Sequence, residues 1–488
     1  MMTSYSTRRA LTLAVAATLG GCADFLTGPG LTESPNSPTQ ATKEQLFAAV
    51  ASSQQSQEEG LLARLAGMFT QQFAGVGRQH KTYQGYDISE TDLTSYFSRT
   101  YTGGGLVDIR KAQALAAAQG DESFAGIAKV YEALLMGRAA SIWGDIPYSE
   151  AVGDSLTPRL DSQEQVYAAV QAKLDSALVQ IPKTGGANTG PGVADLVYGG
   201  NRSRWIAAAN TIRGRYYMHW VEAQAAGGSS AAAAQVACGG DCLVKARDAA
   251  RLGIQTAAGD YRTFHSTAST EWNYWYQFAV IQRAGDIAAG QTLIDSLKAR
   301  RAAFGDQRLR AYFDSVTVAG SADFRGGDRN GTAPSGGLSL LSAQRLASNY
   351  RQPIISAAEN LGLLAEAEAR LGNDVAALAA LDQAKTASAA QNGVPVPLTP
   401  AGLTGAALLR EIKAEQWIGK FQTIEVWNDY KRNCYPRLTA AGTTTDVIGR
   451  LVYGSAERAT NPNVPAVSAQ PARNHNDPVA CSNPAHPT

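Results

Sequence analysis

Residues 354–390 read IISAAENLGLLAEAEARLGNDVAALAALDQAKTASAA, and their spacing predicts two helices joined by a tight turn. In the first half, apolar and small residues recur every three or four positions and so share one helix face: Ile354, Ala358, Leu361 and Ala365. Gly372 stands where helices commonly end in a left-handed residue. Either Asn373 or Asp374 can cap the next helix through a side-chain oxygen. The second predicted stripe consists of Val375, Leu378, Leu381 and Ala384.

Both predicted helices are rich in alanine. Small side chains let two helices approach closely, as in tetratricopeptide-like hairpins, whose unit repeats at about 34 residues. A hairpin of this kind cannot bury both of its faces alone, so other helices must cover it. The same helix–loop–helix pattern recurs over residues 123–181 and 205–257. The sequence therefore predicts an all-α fold of tetratricopeptide-like hairpins.

Residues that can cap helix N-termini support this set of helices, which we call the helical frame. Thr42, followed by Gln45 at the third helical position, predicts a capping box at the first helix. Asp121 (or Ser123) and Asp161 are the expected caps of two later helices. From 260 to 350 the helical stripes become short and glycine and aromatic residues become common, so this stretch is predicted to be a loop-rich excursion from the frame. Long loops on a rigid scaffold are where binding surfaces tend to lie.

The amino-acid composition limits the classes of function that the chain can have. The chain has 488 residues, of which 44% are hydrophobic and 17% are charged, with a formal net charge of +1. A sizeable core is available, and overall disorder is disfavoured. A nucleic-acid partner is not expected, because such proteins carry a basic excess.

The N-terminus predicts a lipoprotein signal peptide over residues 1–21. Arg8 and Arg9 precede a short apolar run, and Leu19-Gly20-Gly21-Cys22 ends like a bacterial lipobox. Cys22 is the predicted lipidation site; the alternative is an ordinary secreted protein with a chance cysteine at this border. Residues 22–41, rich in proline, serine and threonine, are the predicted tether. Residues 42–488 then form a single domain, with its helical frame mainly at 42–258 and 350–432.

With Cys22 assigned to lipid, four cysteines remain: Cys238, Cys242, Cys434 and Cys481. An even number in an oxidising compartment favours disulfides, and three pairings are possible. Cys238 and Cys242 can close locally, in which case Cys434 and Cys481 pin the C-terminal tail to the last helix. Metal binding at Cys238 and Cys242 is the alternative, but no histidine stands at ligand spacing near them. We therefore predict no metal and no cofactor.

The sequence contains no nucleophile elbow, zinc-protease motif, phosphate-binding loop or kinase motif. The most unusual local composition is Glu271-Trp-Asn-Tyr-Trp-Tyr-Gln-Phe278. Flat aromatic faces suit the apolar faces of sugars, and their polar edges can form hydrogen bonds. About half of these rings are expected to point inward as a satellite core. The candidate ligand-binding residues are Trp272, Tyr274, Trp275 and Tyr276. Trp143, in a helix-ending turn, is interpreted as structural.

Six short motifs occur in the order in which they occur in a known family. They are Cys22 at the lipobox, the segment 36–42, Trp143-Gly-Asp-Ile-Pro-Tyr-Ser-Glu-Ala151, Leu293–Leu297 with Gly305-Asp-Gln-Arg-Leu309, the helix at 355–372, and Trp427–Pro436 with the closing region 450–463. Together they cover nearly the whole chain and resemble the SusD/RagB family of nutrient-binding outer-membrane lipoproteins. Two positions depart from the pattern: Gln307 and Gly454 replace the usual prolines.

The resemblance implies four tetratricopeptide-like units packed against an irregular ligand-binding half, and no catalysis. It implies a lipid-anchored protein at the cell surface of the outer membrane. Its partner would be a TonB-dependent, SusC-like β-barrel transporter, and its ligand an oligosaccharide or a peptide. Two alternatives stay open from the sequence: a helical-repeat scaffold that binds only proteins, and a helical glycan-cleaving enzyme. The enzyme would need two carboxylates roughly 5–10 Å apart.

Overall fold

Helices dominate the computed structural model, which describes residues 41–483, and the all-α prediction is confirmed. In chain order the helices are α1 (Lys43–Glu59), α2 (Leu61–Phe69), α3 (Arg78–Gln84), α4 (Glu90–Ser98), α5 (Leu106–Ala118), α6 (Glu122–Trp143), α7 (Gln163–Gln180), α8 (Arg202–Met218), α9 (Val221–Ala226), α10 (Gly228–Cys238), α11 (Cys242–Arg251), α12 (Tyr274–Tyr276), α13 (Gln291–Phe304), α14 (Arg308–Tyr312), α15 (Ala357–Arg370), α16 (Asp374–Asn392), α17 (Gly405–Gly419), α18 (Glu425–Asn433) and α19 (Ser455–Thr460). The predicted signal peptide, Cys22 and all of the tether except Ala41 lie outside the described residues. Within those residues, no helix is both long and apolar enough to span a membrane.

Within residues 41–483, short strands pair inside the loop-rich region and also fasten it to the helical frame. They form three antiparallel pairs: β1 (Phe73–Gly75) with β3 (Ile287–Ala289), β2 (Tyr261–Arg262) with β6 (Pro353–Ile355), and β4 (Val316–Val318) with β5 (Ser321–Asp323). Because Tyr261 lies opposite Ile355, the chain leaves the frame and returns to it at one place. The pairing of β1 with β3 ties the middle of the excursion to the end of α2.

The hairpin predicted from residues 354–390 is α15 and α16. Gly372 has the expected left-handed backbone, with φ of +79°. The prediction for Ile354 is wrong, because it lies in β6 and the helix begins only at Ala357. Asn373 is the N-cap by position, but its side chain donates to Glu368 Oε2 at 2.9 Å and does not cap α16.

The predicted stripe on α16 is also partly wrong, because Val375 is 88% exposed. The buried face follows small residues and one leucine: Ala377, Ala380, Leu381 and Ala384. Val375 precedes Ala377 by two residues, or roughly 200° around the helix, which turns it away from that face. Leu408 and Ile412 of α17 pack on this face together with Ala365 of α15, so α17 supplies the neighbour that the hairpin requires.

Of the caps predicted for α1, α6 and α7, two are confirmed and one is wrong. Thr42 and Gln45 form a capping box at α1, and the Asp121 carboxylate accepts from the amide of Phe124 at 3.0 Å. Asp161 does not cap α7, because its carboxylate accepts hydrogen bonds from the amides of Tyr148 and Ser149. Ser162 therefore becomes the cap, with Gln165 completing the box.

Two disulfides join the four remaining cysteines. Cys238, the last residue of α10, is bonded to Cys242, the first residue of α11. Cys434, directly after α18, is bonded to Cys481 in the C-terminal tail. This arrangement is one of the three pairings that the sequence left open.

The tail is also held by an ion pair between His475 and Glu164, in the first turn of α7. The imidazole Nδ1 lies 2.8 Å from Glu164 Oε2. This hydrogen bond lowers the pKa of Glu164 to about 2 and raises the pKa of His475. The pair is therefore fully effective above the ordinary glutamate pKa of 4.5 and below the ordinary histidine pKa of 6.5.

We expect His475→Ala to lower the free energy of unfolding by at most about 0.5 kcal/mol, because the ring is half exposed and solvent screens the pair. The loss should be largest between the two ordinary pKa values and should vanish as the pH rises through the raised pKa of His475. Urea unfolding of both proteins at pH 5.5 and pH 9 measures this difference. An equal loss at both pH values would contradict it.

Candidate functional site

The aromatic segment, residues 271–278, contains the short helix α12 and lies in the loop-rich region. Asn273 caps α12, accepting hydrogen bonds at Oδ1 from the amides of Trp275 at 2.8 Å and Tyr276 at 3.1 Å. The turn continues as a π-helix over Gln277–Gln282. Such π turns are rare and frequently occur at functional sites.

Glu59, the last residue of α1, fastens this segment to the helical frame. Its carboxylate is fully buried and accepts hydrogen bonds from Thr263 Oγ1 at 2.7 Å and His265 Nε2 at 2.8 Å. Asn273 Nδ2 lies 3.3 Å from both carboxylate oxygens. A buried carboxylate is costly unless donors surround it, so Glu59 strongly favours this one position of the segment.

A second set of hydrogen bonds comes from the end of the excursion. The amide of Asn273 donates to the carbonyl of Ser348 at 2.7 Å, and its side chain donates to the carbonyl of Tyr350 at 3.0 Å. Gln277 Nε2 donates to the carbonyl of Trp272 at 2.6 Å. The aromatic segment is therefore held from the helical frame, from the 348–350 loop and from within.

Trp272 and Tyr276 form what we call the aromatic platform. Trp272 precedes the helical turn in extended backbone and Tyr276 ends it, and their ring centroids lie 5.2 Å apart at an angle of 77°. Trp272 Nε1 donates to the carbonyl of Thr267 at 3.0 Å, which fixes its ring. Both side chains are partly exposed. Val280 and Ile281, on the following π turn, are 42% and 56% exposed.

Tyr274 is also partly exposed, and its ring lies edge-on to His265 at 5.9 Å. Burial, followed by the charge of Glu59, raises the pKa of its hydroxyl. The hydroxyl therefore stays protonated at neutral pH and can both donate and accept hydrogen bonds. Three of the four candidate residues thus retain solvent access.

Trp275 is the exception, and the sequence-based assignment of this residue to ligand binding needs correction. Its side chain is only 1% exposed, and its ring lies 5.3 Å from Phe73 of β1. Trp275 and Tyr276 are consecutive in α12 and so point roughly 100° apart. Trp275 therefore faces the core while Tyr276 stays partly exposed. It supports the segment from below and cannot contact a ligand in this structure.

Behind the π turn lies a polar cluster that the sequence did not reveal. The Arg64 guanidinium lies 4.0 Å from the ring centroid of Phe278, and the His80 ring lies 4.7 Å from the same ring. His80 Nδ1 also lies 3.5 Å from Asp286 Oδ2. Burial lowers the pKa of His80 to about 4, so its ring is neutral at physiological pH. These residues come from four separate elements, and no local sequence pattern connects them.

Within residues 41–483, no cluster of three or more histidine, cysteine, aspartate or glutamate side chains is arranged to hold a metal ion. Cys238 and Cys242, the pair for which metal binding was the alternative, are joined in a disulfide. The platform is thus built from aromatic rings and hydrogen-bonding groups.

Two of the family-like motifs, 143–151 and 450–463, meet beside a cleft of about 730 Å³ that is lined mainly by the C-terminal tail. Trp143 is buried, which confirms its structural interpretation, and its Nε1 donates to the carbonyl of Val452 at 3.0 Å. Arg450 Nε donates to the carbonyl of Trp143 at 2.8 Å, and the Tyr453 hydroxyl donates to the carbonyl of Asp145. These hydrogen bonds join the turn after α6 to residues 450–453, so the motif residues have a structural role.

Comparison with known families gives one match over most of the chain. A family profile named SusD-like, described as "Starch-binding associating with outer membrane", matches residues 35–453. No curated protein matches the sequence.

Solved structures share the fold at low sequence identity. A structure described as a chitin-binding protein superposes with a TM-score of 0.74 and 20% identity, over 90% of this chain and 100% of that chain. A SusD/RagB family protein from Bacteroides thetaiotaomicron gives 0.70 and 20%, over 89% and 97%. A chitin-binding SusD homolog from Flavobacterium johnsoniae gives 0.69 and 18%, over 89% and 98%. At these identities the likeness shows the fold alone.

Proposed function

The chain belongs to the SusD-like family, and from that premise we propose that it is a nutrient-binding protein of the outer-membrane surface that captures an oligosaccharide. The aromatic platform is the proposed contact surface. Starch in the family description, and chitin in the names of two structural neighbours, support a glycan as the ligand.

The observation that carries this proposal is the fixed geometry of Trp272 and Tyr276. Two partly exposed rings offer apolar faces to sugar units, and the hydroxyl of Tyr276 can serve the polar edges of a sugar. The hydrogen bonds of Glu59 and Asn273 fix the segment before a ligand arrives. A site held in this way loses less conformational entropy on binding.

We propose binding without catalysis. Two carboxylates adjoin the aromatic segment: Glu59 through its hydrogen bonds and Glu271 by sequence. Glu59 is buried beneath its donors, and Glu271 accepts a hydrogen bond from the Ser266 hydroxyl at 2.5 Å. Neither is presented as a free acid across a sugar-binding cleft. Glycan cleavage by the purified protein would contradict this part of the proposal.

Delivery to a TonB-dependent, SusC-like transporter, with anchoring through lipid on Cys22, is part of the same proposal. It is supported by family membership and by the lipobox sequence. Affinity purification from detergent-solubilised outer membrane tests it, and we expect a β-barrel transporter to co-purify. Recovery of a Cys22→Ser variant in the soluble fraction is the expected result for the anchor.

We expect the double variant Trp272→Ala/Tyr276→Ala to lower oligosaccharide affinity at least about tenfold, equivalent to about 1.4 kcal/mol, because both stacking surfaces are removed. Calorimetric titration with starch-derived and chitin-derived oligosaccharides measures the change. Phe304→Ala is the matched control, since this aromatic side chain is 49% exposed and lies elsewhere, at the end of α13. Full affinity in the folded double variant would contradict the assignment.

A further inference from the structure

A second cleft, of about 380 Å³, lies beside the β2–β6 pair. Three arginines line it: Arg262 from β2, Arg351 from the approach to β6, and Arg204 from the first turn of α8. We call it the arginine cleft. Because β2 pairs with β6, the fold brings together two of these residues that are far apart in sequence.

The one acidic residue in the lining is already engaged. Asp260 Oδ1 accepts from the amide of Ala357 at 2.9 Å, and Oδ2 accepts from Arg262 Nη2 at 3.1 Å. Three guanidinium groups against one carboxylate leave a formal charge of +2 on the lining. Asp260 and Arg262 form an ion pair, so the excess charge lies on Arg204 and Arg351.

Neither of those two arginines forms an ion pair with a carboxylate of residues 41–483. Arg351 Nε donates to the carbonyl of Thr263 at 2.8 Å, and its guanidinium lies 5.8 Å from the ring of Phe264. The Arg204 guanidinium lies 6.0 Å from the ring of Tyr198. Both are therefore oriented by neutral groups and keep donors for an anion.

Two further features favour a negative ligand here. Arg262 and Arg351 line the same cleft, and partial burial, followed by the positive charge of Arg262, lowers the pKa of Arg351. Arg204 is the third residue of α8, a helix of 17 residues, and helix N-termini carry partial positive charge. An anion would relieve this repulsion and accept paired guanidinium hydrogen bonds.

Residues 263–265 connect the cleft to the aromatic segment. Arg351 contacts Phe264, and the next residue, His265, contacts Tyr274 and donates to Glu59. The same short segment thus forms part of the surroundings of both sites.

We propose that the arginine cleft binds a carboxylate or sulfate group, carried by an acidic unit of the glycan ligand. This inference rests on the proposed function, because the glycan is to be held at the platform. A free inorganic anion offers the same chemistry without a sugar. A volume of this size lies at the small end of ordinary ligand pockets, roughly 300–1,000 Å³, which suits one sugar unit.

Titration of the full-length, detergent-purified protein with oligogalacturonate and with its neutral methyl ester tests the inference, with sulfated oligosaccharide, inorganic sulfate and phosphate as further probes. We expect the acidic glycan to bind at least about tenfold more tightly than its ester at low salt. Arg204→Gln/Arg351→Gln should abolish this preference and leave the ester unaffected. Arg301→Gln/Arg310→Gln, which removes two exposed charges outside the cleft, is the matched control.

Each outcome decides a different point. An unchanged preference for the acid in the folded Gln variant, or equal binding of acid and ester by the parent protein, would overturn the inference. Arginine-dependent binding of inorganic sulfate or phosphate without binding of oligogalacturonate would assign the cleft to free anions and overturn the glycan part. Loss of all glycan binding only in the Trp272/Tyr276 variant, with no effect of the arginines, would uphold the platform and reject the cleft. Should the Gln variant not fold, Arg204→Lys/Arg351→Lys keeps the charge, and partial retention of the preference is expected.

Discussion

Arg432→Ala should lower the free energy of unfolding by about 3–5 kcal/mol, the typical cost of removing one partner from a buried ion pair. Arg432 of α18 binds Glu366 of α15 in a bidentate manner, with both Nη–Oε distances at 2.6 Å. Both side chains are buried. Burial by itself raises the pKa of Glu366, but the charges of Arg432 and Arg370 more than reverse this and hold the pKa well below its usual range. The carboxylate therefore stays ionised and would be left without its principal partner.

Urea unfolding of the variant and the parent protein measures the loss. Arg159→Ala is the matched control, because Arg159 pairs with Glu150 but its side chain is 81% exposed, and such pairs contribute about 1 kcal/mol or less. The double variant Arg432→Met/Glu366→Leu should recover part of the stability, since Glu366 is no longer left unpaired. Arg370 keeps its pair with Glu222, and Asp429 keeps its pair with Lys420. Similar small losses for Arg432→Ala and Arg159→Ala would contradict this role.

Trp275→Ala is expected to lower the free energy of unfolding by about 3–5 kcal/mol, the range for removing a large aromatic side chain from a core. The ring fills the space beneath the platform and packs against Phe73. Trp272→Ala, three residues earlier, removes a partly exposed ring and should cost much less stability. We therefore expect Trp275→Ala to lose mainly stability and Trp272→Ala to lose mainly ligand affinity.

Thermal or chemical unfolding of the two single variants, with calorimetric titration of the same samples, compares both quantities. Trp275→Phe is a useful intermediate, since it keeps an aromatic ring in the core and should lose less stability than Trp275→Ala. A Trp272→Ala variant as destabilised as Trp275→Ala would mean that the platform residues are structural. A stable Trp275→Ala variant with impaired binding would restore Trp275 as a ligand contact.

Local signals predicted much of the frame. The Thr42–Gln45 capping box and the left-handed Gly372 depend on a few neighbouring residues, and the sequence predicted both. Asp161 shows the limit of such signals. Its carboxylate could cap a helix, but in the fold it accepts hydrogen bonds from the amides of Tyr148 and Ser149 instead. Val375 shows another limit, since the direction of a helix face depends on which neighbours cover it.

The sequence by itself determined the helical class, the loop-rich excursion and the aromatic segment, because periodicity, caps and composition are short-range properties. Only the tertiary structure decided which rings face outward. Glu59 meets His265 across 206 positions, and Arg351 reaches Thr263 across 88; no local pattern encodes contacts of that span. The platform, the inward turn of Trp275 and the arginine cleft all arise where such distant segments are fixed against each other, since burial and charge depend on the neighbours that folding supplies.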